Sequence, residues 1–112
     1  MMVQVRGLAE LKAAFKGLDK EFEKRQRVAI KLTATAYQGD VQTEAPYITG
    51  TLRRSIHVEM VSDSTALVGS NLEYAAPVEY GTRYRAPKPY FRPPLDLNKD
   101  KYRRIFLEEM SR

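Results

Sequence analysis

The sequence predicts an α+β domain: a long N-terminal helical segment and a C-terminal helix packed against a small antiparallel β-sheet containing a hairpin. Two periodicities carry this reading. Apolar residues recur at helical spacing before Pro46 and again after Leu95, while side-chain character alternates at period two in Met2–Arg6 and in Ile56–Val61. A third observation separates the parts. Glu73–Asp96 holds five of the six prolines and four of the seven tyrosines, so it forms neither a long helix nor a central strand.

A chain of 112 residues corresponds to a single domain. It divides into a strand and helices (1–46), a hairpin and turn (47–82), a proline-rich arm (83–94) and a last helix (95–112). Met2–Arg6 alternates and stops at Gly7, as a short strand does. Leu8, Leu11, Phe15, Leu18 and Phe22 then make one stripe, continued through Ala29, Leu32 and Ala36. Gly17 is a point of weakness in that helix, with Asp19 placed to cap a second one. Pro46 ends the helical region by disfavouring helical geometry at Ala45. The small residues Thr33, Ala34, Thr35, Ala36 and Gly39 suit close approach of another backbone, from this chain or from a second copy.

Thr49–Gly50 marks a turn, with Leu52 and Ile56 spaced to anchor the incoming strand or turn in the core. Ile56, Val58 and Met60 fall on one side of a strand and His57, Glu59 and Val61 on the other. Ser62–Asp63–Ser64 turns the chain into a second strand, Thr65–Gly69, which Ser70–Asn71 closes. Tyr74–Tyr80 fits one or two helical turns stopped by Gly81. Pro87 to Pro94, with Pro89 and Pro93 between, reads as extended backbone near polyproline geometry. Asp96 or Asn98 can cap a helix reaching Met110, with Leu95, Tyr102, Phe106 and Met110 as its apolar face.

Composition narrows the chemistry. Without cysteine there are no disulfides and no thiolate metal sites, and one histidine, His57, cannot supply a multi-histidine site. No metal and no cofactor is expected. No apolar run approaches the ~20 residues of a membrane span. The first ten residues, MMVQVRGLAE, lack the apolar core of a secretion signal, so a cytosolic site of synthesis is expected. The charge is +5, spread as 10 basic and 8 acidic residues over 1–72 and 9 and 6 over 73–112. That permits nucleic-acid contact without concentrating charge for it.

No catalytic grouping stands out. No carboxylate pair lies near His57, neither Ser55 nor Ser62 sits in a nucleophile elbow, and Gly50, Gly69 and Gly81 are isolated turn glycines. The chain is therefore not expected to be an enzyme, nor to bind a small-molecule substrate. A minimal basic ribonuclease using His57, Arg53, Arg54 and Tyr74 is the residual catalytic arrangement. The more informative feature is a set of arginines and aromatic rings on irregular backbone: Arg53, Arg54, Arg83, Tyr84, Arg85, Tyr90, Phe91 and Arg92. Such residues suit a protein interface, cover for the domain's own core, or stacking on nucleic acid. Glu79 is expected to pair with Arg92 and so fix the register of the arm.

Three stretches together carry a resemblance. "APYITGTLRRSI" (45–56) is similar to the pattern Pro–x–x–Thr–Gly–x–Leu–x–x–Ser–Ile. "VGSNLEYAAPVEYGT" (68–82) resembles Val–Gly–x–Asn–x–x–Tyr–Ala–x–x–Val–Glu–x–Gly–Thr, and "PKPYFRPPLD" (87–96) resembles Pro–x–Pro–Phe–x–Arg–Pro–x–Leu. In this order they resemble the small neck or tail-completion proteins of tailed bacteriophages, the gp10-like minor tail components. Ile48 stands where that family often has an acidic residue, and the hairpin turn and the stretch after Thr82 are short. The resemblance marks Thr49, Gly50, Leu52, Ile56, Gly69, Asn71, Tyr74, Glu79, Gly81, Pro89 and Pro93 as motif positions. It implies a structural protein of the head–tail junction, located in the virion and assembled in the host cytoplasm. Its implied partners are further copies of itself in a ring and other neck or tail proteins. The alternative from the residues alone is a small basic nucleic-acid-binding module.

Overall fold

The computed structural model describes residues 2–6, 20–46, 50–84 and 86–111. The expected stripe from Leu8 to Leu18, the weak point at Gly17, the cap at Asp19, and Thr49 and Arg85 lie outside them. The described residues form an α+β fold with a three-stranded antiparallel sheet.

Strand β1 (Met2–Arg6) and strand β2 (His57–Ser62) flank strand β3 (Thr65–Gly69), giving the order β1-β3-β2. Their register explains the alternation in the sequence. Val3 lies opposite Val68, which lies opposite Val58; Val5 lies opposite Ala66, which lies opposite Met60. These six side chains form one apolar face, whose centre, Ala66 and Val68, is fully buried. A one-residue slip would turn every one of them to the other face, so burial fixes the register. A bulge between Met60 and Ser62 ends the regular pairing and leaves Val61 exposed. The Asp63–Ser64 turn comes next, and the Ser64 N–H donates to Ser62 Oγ at 3.3 Å.

Helix α1 (Lys20–Glu44) crosses that apolar face. Twenty-five residues at ~1.5 Å rise make a rod of roughly 37 Å. Its buried positions are Gln26, Ala29, Ile30, Thr33, Ala34, Tyr37 and Val41. Leu32, expected on the stripe, is 45% exposed, because Ile30 and Ala34 hold the buried line and Leu32 lies between them on the opposite side. Thr33 and Thr35 donate their hydroxyls to carbonyls four residues back, at 2.8 and 2.7 Å, which satisfies both groups within a helix. The helix stops before Pro46, as its N-side restriction requires.

Short helix α2 (Thr51–Ser55) starts after Gly50, whose φ of 80° a glycine adopts without steric cost. Leu52 and Ile56 anchor it in the core. Helix α1 caps the end of α2: Gln38 Nε2 donates to the Ile56 carbonyl at 2.8 Å and Gln42 Nε2 to that of Arg53 at 3.0 Å. Helix α3 (Ala75–Tyr80), helix α4 (Arg92–Leu97) and helix α5 (Lys99–Met110) complete the chain. Helix α5 runs along α1 and buries Tyr102 and Phe106 there, with Leu95 and Met110 packed alongside.

The extended arm anticipated to Pro94 ends earlier. Helix α4 begins at Arg92 with Pro93 and Pro94 in its first turn, where their missing N–H groups cost nothing. Asp96 lies within α4 rather than capping the last helix, and Asn98 precedes α5 without a side-chain cap. The Asn98 carbonyl instead accepts the Tyr102 N–H at 3.0 Å.

Candidate functional site: a loop clasped to the core by Glu79

The residues marked from the sequence fall into three settings. Arg53 and Arg54 sit on α2 beside α1, where they line a shallow depression with Gly39, Gln42 and Thr43. Arg53 is half-buried and donates from Nε to the Ala45 carbonyl at 3.1 Å. That bond ties the end of α1 to α2. Arg54 is exposed.

The second setting is the core. Tyr90 is 0% and Phe91 1% exposed, so these rings are cover for the chain's own interior and not anchors for a neighbouring subunit. Tyr90 donates its hydroxyl to the Ala75 carbonyl at 2.7 Å, and Tyr37 donates to the Phe91 carbonyl at 2.6 Å. Tyr37 meets Phe91 and Tyr102 edge-on, with centroids 6.4 and 5.6 Å apart. Burial, with the nearby Glu79 charge, pushes the Tyr90 hydroxyl up to about 12. Burial raises Tyr37 and Tyr102 still further, and the Asp40 carboxylate adds to the rise at Tyr102. Asp40 accepts from Tyr102 at 2.6 Å and pairs with Lys101 at 3.0 Å. Burial works against its charge, but those two partners outweigh it and lower its pKa.

Glu79 explains why Tyr90 and Phe91 stay inside. Its side chain is buried, and Oε1 accepts the backbone N–H groups of Tyr90 at 2.8 Å and Phe91 at 2.7 Å. The expected Glu79–Arg92 pair is therefore replaced. Arg92 turns to solvent and lies 3.5 Å from Asp96 one helical turn on. The physical reason is that two amide donors just ahead of α4 need an acceptor, and a carboxylate satisfies both without burying a cation. The register of the arm is fixed by backbone rather than by arginine.

The third setting is the loop that this clasp holds. Helix α3 ends at Gly81, where φ is 80° and ψ is 169°, a conformation open essentially to glycine. The Gly81 N–H donates to the Pro77 carbonyl at 2.8 Å, and the Lys88 N–H returns to the adjacent Val78 carbonyl at 2.9 Å. Between those anchors Tyr84 is 86% exposed, and the Arg83 guanidinium lies 5.9 Å from its ring centre. Tyr80 and Pro89 are exposed as well, while Tyr74 opens α3 at the margin of exposure. Of the remaining motif positions, Gly69 is buried at the end of β3 opposite both Met2 and His57, Asn71 is exposed, and Pro93 is half-buried.

His57 Nδ1 lies 3.0 Å from the Ser55 carbonyl, and Ser55 Oγ lies 2.7 Å from Ser70 Oγ. These contacts secure the start of β2 and include no carboxylate. Among the described residues no cluster of three or more histidine, cysteine or acidic side chains is arranged to hold a metal. No helix among them is long and apolar enough to cross a membrane.

Sequence reasoning passes over Tyr37 and Asp40, which join α1 to the arm and to α5. Tyr37 is visible as the member of the Ile30, Ala34, Val41 line that carries a hydroxyl; Asp40 has no sequence signal, because its partners lie more than sixty positions away.

A search of curated proteins and one of solved structures each found no match. The profile of one protein family does match. Residues 9–81, well over half the chain, fit the family described as "Bacteriophage HK97-gp10, putative tail-component".

Proposed function

From the premise that the chain belongs to the HK97 gp10-like family of phage tail components, we propose that it is a structural protein of the head–tail junction. In this reading it is a tail-completion or neck component of the virion. Copies assemble as a ring and adapt the head connector to the tail. The observation that carries the reading is the family match over residues 9–81. It is supported by the chemistry of the chain: the buried Ser70 and Glu79 tie segments of the fold together, and the exposed arginines and tyrosines are of the types enriched at protein interfaces. The partners are further copies of the chain and other phage neck or tail proteins, met in the host cytoplasm during assembly.

The test is reconstitution. Heads and tails are prepared from the encoding phage with this gene deleted, and the purified chain is added back. Joined particles and restored infectivity are expected. Heads and tails that join equally well without the chain would overturn the reading.

A further inference from the structure

Four exposed side chains stand on or beside the loop that Glu79 clasps, Tyr80 at the end of α3 and Arg83, Tyr84 and Lys88 beyond it, and the domain's own core uses none of them. Tyr80 is 71% and Tyr84 86% exposed. Arg83 and Lys88 form no ion pair among the described residues. The acidic residues nearest in sequence are already engaged: Glu79 on two backbone amides and Asp96 with Arg92. Between Tyr80 and Leu95 the sequence has four basic residues and no acidic one. Arg83 and Lys88 are therefore left without an acidic partner among the described residues.

The loop is also anchored at both ends. Its two ends hydrogen-bond to consecutive carbonyls, those of Pro77 and Val78. Beyond Lys88 the chain is locked by the Glu79 carboxylate and by two buried rings. A loop with both ends fixed loses less conformational entropy on docking than an untethered one. Arg83 beside the Tyr84 ring combines cation and aromatic face, and both residue types are over-represented among the side chains that dominate binding energy.

We propose that Tyr80, Arg83, Tyr84 and Lys88 form a preorganised docking surface for an acidic patch on another protein of the particle. Tyr84 is the anchor, and Arg83 and Lys88 take carboxylates at its side. This rests on the head–tail reading and names the chemistry of the partner. A protein is favoured over nucleic acid because two described cations fall well short of the ~6–10 phosphate contacts of a typical duplex binder, and the whole chain carries only +5.

The experiment measures binding of the full chain to purified heads and to purified tails, each assembled without it, and to a duplex DNA oligonucleotide. Tyr84→Ala is expected to weaken binding to one of the two particles by about 30-fold. Arg83→Glu with Lys88→Glu is expected to weaken it at least as much and to flatten its salt dependence. Lys24→Glu, an exposed lysine on α1, is the charge control and is expected to bind as the unmodified chain does. All variants should melt with the unmodified chain because the side chains are exposed; if one does not, Arg83→Gln and Tyr84→Ser replace it. Loop variants that bind particles normally would overturn the docking surface and leave the adaptor role standing. Loop variants that lose only DNA binding would overturn it in favour of nucleic acid. An unmodified chain that binds neither particle would remove the head–tail reading and this inference with it.

Discussion

Glu79 shows how one side chain decides the course of a dozen residues. Without its carboxylate the amides of Tyr90 and Phe91 would be buried with no acceptor, at ~1–3 kcal/mol each. Glu79→Ala is therefore expected to lower unfolding free energy by about 2–4 kcal/mol in urea melts, and Glu79→Gln by less, since its amide oxygen still accepts. Tyr90→Phe removes only the bond to the Ala75 carbonyl and is expected to cost ~1–2 kcal/mol. The same tyrosine gives a pH dependence. Its hydroxyl titrates near 12 in the folded chain against 10.0 for the free group, so the folded state holds the proton more tightly. Its stabilisation is complete below pH 10 and is lost as pH rises from about 10 towards 12. Tyr37 and Tyr102 shift in the same direction. Thermal melts are expected to fall steeply above pH 10; a flat profile from pH 10 to 12 would contradict this account of the aromatic cluster. None of this bonding is legible from side-chain types. A carboxylate in a stretch rich in arginine suggests an ion pair, and sequence gives no sign that the acceptor is needed by backbone.

At the scale of elements, legibility tracks periodicity. The inner face of the sheet can be read from Val3, Val5, Val58, Met60, Ala66 and Val68 because period two leaves one choice of face. Helix α1 can be read as a helix, but its buried line is misplaced at Leu32, since Thr33 and Gln26 are polar residues that the core accepts. Helix α4 escapes the sequence reading because Pro93 and Pro94 look like extended backbone until the chain's entry into a first helical turn is known. Two glycines separate the uses of that residue. A Cβ on Gly39, inside α1, would meet nothing within 4 Å, so Gly39→Ala is expected to stabilise the isolated chain by ~0.5–1 kcal/mol. Gly81 holds a backbone conformation that a Cβ opposes, and Gly81→Ala is expected to destabilise by ~1–3 kcal/mol. Chemical denaturation of the two variants side by side checks both signs.

Across the whole molecule, α1 is the element against which the others are arranged, with the sheet on its apolar face and α5 alongside. Tyr102 and Lys101 on Asp40, Tyr37 on Phe91, and Gln38 and Gln42 on the end of α2 each tie it to a different part of the chain. Polar groups in and around the core thereby join elements, and Arg83 and Tyr84 are left exposed. That division of labour suits the adaptor role proposed above. The family match makes the chain a phage tail component, and the adaptor ring is the place proposed for it. The most direct measurement is cryo-electron microscopy of the intact virions of the encoding phage. Density for this fold is expected as a ring between head connector and tail, with the Arg83–Tyr84 loop against an acidic neighbour. Virions that lack the chain, or that carry it away from the head–tail junction, would contradict it.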